Sequence, residues 1–469
     1  MSKYRPTVQN ALELHQKGDY NSAKLLYVKA LEENAYDAQA LQLLGVILYI
    51  EGEHEFAIQL IKNAISIDPT IYEAHNNLGN IYKSLEQYDL ALEYYENAIE
   101  LQPEKVLAHN NIANTYRHKE EYHKALEHYQ LAIKYHPEYT EAHYNLASLF
   151  YVNCNFSEAQ KEYAETIKQN PHYSKAYVGL SGVFQSVDKI DKATEILKEY
   201  LEYDTSNSEI LILLAIYSWI DNDVKVCEQF FSKIEDKTFD VKNPQDKFDF
   251  AYKAFIEKLI AFRKRHLDLY TDDIRLPVLY IIGDSHCLSY SNLKVIYKGK
   301  IHRTVSKINI GCKAWHLSAN QNNKYKEQFN NIVSNLQREA EVLVIFGEID
   351  CRLDDGILKH YEKVHSDLSC TIAALVKRYV DHVEKSCKYN NIKALYSLVP
   401  APIFDESVSD DKRGQLKNVI SLFNGALQNL LPNSRLYDTF SITVDTDGES
   451  NQKYHLDGWH LSPITITLL

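Results

Sequence analysis

No apolar run in this chain is long enough to cross a bilayer. The most apolar stretch, ILILLAIYSWI at Ile210–Ile220, falls well short of the roughly 20 residues a spanning helix needs. The N-terminal MSKYRPTVQNALELHQKGDY lacks an apolar core of signal-peptide length, so a cytoplasmic location is expected. Cysteine is sparse and unpaired in pattern. The seven residues Cys154, Cys227, Cys287, Cys312, Cys351, Cys370 and Cys387 include no CxxC pair, and an odd count fits reduced thiols better than a disulfide framework. Positive charge is also short, with 51 Lys and Arg against 64 Asp and Glu and a net charge of -13. That balance argues against general binding to a phosphate backbone, which depends on cations releasing counterions. No metal or cofactor is implied. At 469 residues the chain exceeds what one core usually supports, so two domains are expected.

What is abundant is a period. Ala23, Ala57, Ala91, Ala125, Ala159 and Ala193 recur every 34 residues, as do Ala30, Ala64, Ala98 and Ala132, and Tyr27, Ile61, Tyr95, Tyr129, Tyr163 and Leu197. Pro69, Pro103, Pro137 and Pro171 keep the same step and would close each unit, because a ring without an amide hydrogen ends a helix. The unit from Tyr72 to Pro103 reads as two amphipathic helices, with Leu78, Gly79 and Tyr82 on helix A and Ala91, Tyr95 and Ala98 on helix B. This pattern resembles the tetratricopeptide repeat (TPR) family, in which small residues at helix crossings let backbones approach. Leu211, Leu214 and Ala215 continue Tyr177, Leu180 and Ser181, and Cys227 stands where Ala193 stood, so about seven repeats are expected over residues 4–236.

Helix A lines the concave face of such arrays. Asn77, Asn111 and Asn145 recur there, as do His75, His109 and His143. The TPR superhelix of O-linked N-acetylglucosamine transferases looks similar, and its asparagine ladder grips the backbone of an extended peptide. By that resemblance Asn77, Asn111 and Asn145 would bind a protein or extended peptide, since an amide both donates and accepts. The alternative is that these residues solvate or pack helix A, and the histidines are read as surface or packing residues.

The repeat signature decays near Ser206. Residues 237–274 read as a capping or linking helix, and a new pattern occupies 275–469. VLYII (278–282), EVLVIFG (341–347) and IKALYSLVP (392–400) alternate with helical stretches near 320–338, 366–389 and 411–431. Apolar strands alternating with helices predict an α/β domain with a parallel sheet covered on both faces. Polar residues follow the strands: Gly283-Asp284-Ser285-His286, then Gly311, then Gly347-Glu348-Ile349-Asp350-Cys351-Arg352, and finally Asp457 and His460 in YHLDGWHLSP.

This order resembles the SGNH/GDSL hydrolase superfamily, which implies a three-layer, flavodoxin-like fold. The resemblance implies that Ser285 is the nucleophile, His460 the base and Asp457 its orienting acid. The Ser285 and Gly311 amides would hold an oxyanion, and the substrate would be an acyl ester such as an acylated carbohydrate. The chemistry is coherent, because a serine hydroxyl needs a histidine to take its proton and the histidine needs a carboxylate to fix its tautomer. The third block departs from the family: its asparagine donor is replaced by Ile349, and an aliphatic side chain cannot donate. Arg352 is the candidate substitute, with His286 a lesser one. Asp284, His286, Glu348, Asp350, Arg352 and Trp459 are candidate substrate contacts, although Glu348 or Asp350 could equally form a structural bridge with Arg352. His455 and Trp459 flank the triad and could shape its pocket. Cys287 carries no feature of an activated thiol. Nine residues follow His460, and PITITLL is β-branched where this fold usually closes with a helix. Two functions compete: a TPR-recruited serine hydrolase or acyltransferase, and a non-catalytic TPR scaffold with a degenerate second domain.

Overall fold

The computed structural model describes residues 5–234, 244–348, 351–352, 356–358, 367–404, 407–457 and 460–468. They fall into two compact units. The first comprises Met1–Phe150 with Ser157–Asn170, and the second Tyr151–Phe156 with Pro171–Leu469. Compactness therefore divides the chain inside the fifth repeat, whereas sequence character changes between 236 and 275.

The first unit is built of antiparallel helix pairs such as Tyr72–Ser84 with Tyr88–Leu101 and Val106–His118 with Tyr122–Tyr135. Each alanine of the two 34-residue series in this unit is at most 1% exposed, because it lies where two helices cross. A Cβ added to Gly79 would sit 2.6 Å from the Tyr95 ring, so only glycine admits that aromatic knob. The knobs are pinned as well as packed. The Tyr95 hydroxyl donates to Asn80 Oδ1 at 2.7 Å and the Tyr129 hydroxyl to Asn114 Oδ1 at 2.6 Å.

The turn between helices A and B repeats too. Gly18, Gly52, Glu86, Glu120, Cys154, Asp188 and Asn222, each 34 apart, all have positive φ, from 56° to 87°. In the third repeat the Gln87 amide donates to the Tyr82 carbonyl and the Glu86 amide to the Lys83 carbonyl. This is the Schellman closure, which needs a left-handed residue just past the helix end.

In the second unit, strands β1 (Val278–Gly283), β2 (Lys294–Tyr297), β3 (Lys300–Ile308), β4 (Glu341–Ile345), β5 (Lys393–Ser397) and β6 (Leu436–Tyr437) form one sheet in the order β2-β3-β1-β4-β5-β6. The pairings are parallel except β2 with β3, which is antiparallel. The sheet is thus mixed rather than parallel as expected, because the two-residue turn at Lys298 and Gly299, both at positive φ, folds β2 and β3 into a hairpin. Ile282, Val342, Val344, Ala394 and Tyr396 pack with Phe329, Tyr379 and Phe423 of the helices Lys324–Ser334, Leu368–Lys388 and Asp410–Leu430. The alternate residues Ile281, Leu343 and Leu395 are also buried, so both faces are covered.

The last two repeats belong to this unit through polar ties. Trp219 Nε1 donates to the Leu288 carbonyl at 2.9 Å, Lys307 Nζ meets Asp188 at 2.9 Å, and Asn331 Nδ2 donates to the Ser186 carbonyl at 2.8 Å. The C-terminal Pro463–Leu468 is a 3₁₀ helix despite its β-branched residues. Thr465 anchors it, meeting the Tyr290 hydroxyl at 2.8 Å and accepting from the Tyr437 hydroxyl at its carbonyl. The loop carrying His460 is supported from below.

Candidate active site

Strand β1 lies between β3 and β4, where the connections leave toward opposite edges, and such switch points open a crevice at the strands' carboxyl ends. A Cβ on Gly283, its last residue, would sit 2.7 Å from the Ile345 carbonyl oxygen. Glycine therefore lets β1 and β4 close up beneath the turn that follows. That turn is the 3₁₀ segment Ser285–Tyr290, capped by Asp284, whose Oδ1 accepts from the His286 amide at 3.0 Å.

Ser285 Oγ lies 3.1 Å from His460 Nε2. His460 Nδ1 lies 2.9 Å from Asp457 Oδ2 and 3.1 Å from Oδ1, and the His460 amide donates to Oδ1 at 2.7 Å. The carboxylate fixes the proton on Nδ1, leaving Nε2 a free lone pair toward the serine. Burial, partly opposed by Asp457, lowers the His460 pKa, so the ring is neutral at neutral pH. The sequence thus brings together, over 175 positions, the three residues it singled out.

Beside the triad lies a second set of charges, buried at Asp284 and His286 and partly exposed at Glu348 and Arg352. His286 Nδ1 is 2.7 Å from Asp284 Oδ1 and its Nε2 is 3.3 Å from Glu348 Oε2. Burial opposes a charge on this ring, but Asp284 and then Glu348 prevail and raise its pKa to about 9. His286 is therefore an imidazolium whose two nitrogens are both engaged. Its ring centroid stands 4.7 Å from that of His460. Arg352 takes Glu348 as a bidentate partner, with Nε 3.1 Å from each oxygen and one terminal nitrogen 2.7 Å from Oε2. This is the structural bridge that the sequence left open for Glu348. Gly311, at φ +72°, is exposed in the turn after β3. Burial drives the His455 pKa down to about 4, and its Nδ1 bonds Ser450 Oγ at 2.8 Å. Burial pushes the Cys287 thiol well above its ordinary value. Ile349, Asp350 and Trp459 lie outside the described residues.

Sequence reasoning missed two residues of the connecting helix Pro244–Arg265. The Phe255 ring stacks on His460, with centroids 3.6 Å apart and planes 11° apart. One turn earlier, burial and the Asp284 charge raise the Tyr252 pKa above its ordinary value. Nothing in the local sequence distinguishes these two from ordinary apolar positions of an amphipathic helix.

On the repeat helices, Asn111 Nδ2 donates to Asn76 Oδ1 at 3.1 Å and Asn145 Nδ2 to Asn110 Oδ1 at 3.0 Å. Each bond clasps one repeat to the preceding one and uses one amide hydrogen of the ladder. Asn77 is partly exposed. His75, His109 and His143 are buried, and each Nε2 donates to the carbonyl of a proline six residues earlier, Pro69, Pro103 and Pro137, at 3.0, 2.9 and 2.9 Å. They are packing residues that lock the repeat boundary. Among the described residues no helix is long and apolar enough to cross a membrane.

Models of the tetratricopeptide repeat match residues 8–70, 72–105 and 106–139. Several solved structures are similar. One is YrrB, described as a TPR protein with an unusual peptide-binding site, at 23% identity over 39% of this chain and 95% of that one, TM-score 0.33. Another is PilF of Pseudomonas aeruginosa, at 19% identity over 44% and 93%, TM-score 0.39. A third is the thermophilic TPR protein TTC0263 of Thermus thermophilus, at 22% identity over 38% and 97%, TM-score 0.34. No curated protein matches the chain. Over residues 8–139 the chain is therefore made of tetratricopeptide repeats, an architecture consistent with a protein-interaction scaffold.

Proposed function

We propose that the chain is a TPR-recruited serine hydrolase or acyltransferase that acts on an acyl ester. The observation that carries this reading is the relay from Ser285 Oγ to His460 Nε2 at 3.1 Å and from His460 Nδ1 to Asp457 at 2.9 Å. The resemblance of residues 276–469 to SGNH/GDSL hydrolases, in the order of their blocks, points the same way. Ser285 Oγ attacks the acyl carbonyl carbon and passes its proton to His460 Nε2, while Asp457 steadies the imidazolium. The Ser285 and Gly311 amides receive the oxyanion. The leaving alcohol takes the proton from His460, and water or an acceptor hydroxyl, activated by the same histidine, releases the acyl group. Whether the acceptor is water or a sugar hydroxyl separates hydrolysis from transfer.

The repeats supply recruitment. An extended protein segment in the concave groove would meet Asn77 and the amide groups of Asn111 and Asn145 left over from the inter-repeat clasp.

Hydrolysis of p-nitrophenyl acetate by the full chain, beside Ser285→Ala and His460→Ala, tests the catalytic reading. Loss of turnover in both variants, each folded by circular dichroism, is expected; equal rates in all three would remove Ser285 as nucleophile. The second reading, a non-catalytic scaffold, draws support from the cover over the triad. Ser285 and His460 are each only 9% exposed, and Phe255 lies flat on the imidazole. Equal rates would favour it.

A further inference from the structure

We infer that the cleft between the helices Lys324–Ser334 and Leu368–Lys388 binds the phosphate ester of a small hydroxylated molecule. This site is separate from the triad and stands independently of the hydrolase reading.

The two helices turn polar faces to each other. Lys326 and Asn330 are four residues apart on the first, and His382, Lys385 and Ser386 are three and four apart on the second, so each set shares a side. With Asn320 of the preceding loop they line a cavity of about 510 Å³. That is the size of a small-molecule site and far more than one water needs. The cavity has no lining residue in common with the triad or with the charges beside it.

The cavity is cationic, although the chain carries a net charge of -13. Lys326 gives one hydrogen bond to the Ala319 carbonyl, which leaves two of its three ammonium hydrogens. Lys385 has no ion pair or hydrogen bond among the described residues. Glu327 is the acid among the lining residues, and Asn322 Nδ2 already holds its Oε1 at 2.7 Å. The charges feel one another. Burial, then Lys385, lowers the Lys326 pKa, and burial, then both lysines, drives His382 down to about 4. Like charges gathered in a concavity repel until an anion joins them.

His382 supplies a second, independent observation. Its Nε2 is buried without a hydrogen-bond partner, and buried polar atoms are normally satisfied. A group entering the cavity would complete it, because an imidazole nitrogen can either donate or accept. A phosphate monoester brings about 1.5 to 2 negative charges and three acceptor oxygens, which suits two ammonium groups and an imidazole. A carboxylate brings one charge and two oxygens. Ser386 Oγ donates to Asn330 Oδ1 at 2.7 Å, so the Asn330 amide hydrogens remain, with Asn320 and the Tyr389 hydroxyl, for the hydroxyl groups of the ester.

The test is isothermal titration of the full chain at low ionic strength with glucose 6-phosphate, inorganic phosphate, glucuronate and glucose. Wild type is compared with Lys385→Glu and with Lys377→Glu, an exposed position of the same helix outside the cavity, each shown to be folded by circular dichroism. One site for glucose 6-phosphate is expected, with weaker binding of inorganic phosphate and none of glucose. Lys385→Glu should weaken binding by at least about 10-fold, the size of one lost hydrogen bond to a charged group, and Lys377→Glu should match wild type. Glucuronate bound as tightly as glucose 6-phosphate would overturn the choice of a phosphate ester. No binding of either phosphate, or equal weakening in the two variants, would overturn the site.

Discussion

Phe255 and His460, far apart in sequence, stack face to face at 3.6 Å with their planes 11° apart. The ring shields the imidazole from water, and that burial is the first cause of its lowered pKa. Phe255→Ala should therefore raise the His460 pKa toward its ordinary value, about 6.5, and move the acidic limb of the pH–rate profile upward. Removing so large a buried ring should also cost about 3–5 kcal/mol, read from guanidinium denaturation. In the wild type the folded pKa lies below the unfolded one. A neutral His460 is favoured by the fold above about pH 6.5, and the stability it leaves intact is lost as pH falls through the folded value. An unmoved acidic limb in Phe255→Ala would show that the ring does not control the base.

His286 titrates the opposite way. Its folded pKa of about 9 exceeds the unfolded value of about 6.5, so its contribution is complete below that lower value and disappears as pH rises through the upper one. His286→Gln removes the cation between the buried Asp284 and the partly exposed Glu348, at a cost of about 3–5 kcal/mol near pH 6. Urea denaturation on the acidic side of the lower value and on the alkaline side of the upper one should show that penalty shrinking as pH rises. A penalty equal at both would mean that the ring is neutral throughout.

The left-handed turns offer a backbone test. Glu120, at φ 60°, occupies a conformation that costs a side-chain-bearing residue about 1 kcal/mol and glycine almost nothing. Glu120→Gly should raise stability by up to about that amount. Gly52→Ala, at φ 87°, should lower it similarly. Denaturation midpoints that moved in the same direction for both would contradict the turn assignment.

The asparagine ladder separates structure from recognition. Asn111→Ala breaks the bond to Asn76 and should cost about 1 kcal/mol of array stability. Asn77→Ala removes no clasp among the described residues and should fall within about 0.5 kcal/mol. If the groove holds an extended peptide, Asn77→Ala should still weaken a peptide recovered with the wild type. Calorimetric unfolding and isothermal titration read the two effects apart.

Much of this was legible because the code was periodic or local. Ala23 through Ala193 and Tyr95 with Tyr129 announced helix crossings, since a crossing tolerates only small residues and its knob only certain shapes. Ser285, Asp457 and His460 were singled out because each sits at a strand end or in a short loop block, and the structure brings the three within hydrogen-bond reach. The neighbouring column Asn76 and Asn110 was overlooked, although its 34-residue step was as plain as that of Asn77 and Asn111. It accepts the clasp. The hairpin of β2 and β3 was also signalled, by Lys298-Gly299 between alternating residues, and its omission made the sheet seem wholly parallel. Tyr252 and Phe255 could not have been found this way. The stacking of Phe255 on His460 and the exposure of Tyr252 to the Asp284 charge depend on how a helix packs against loops far along the chain, and nothing in its own periodicity records that.

The most direct measurement is active-site labelling of the full chain by a fluorophosphonate, with the adduct located by tandem mass spectrometry. A phosphonyl group on Ser285, absent from Ser285→Ala and slowed at least about 10²-fold in His460→Ala, is the result expected of an activated serine. A folded wild type that takes up no label at Ser285 would contradict it.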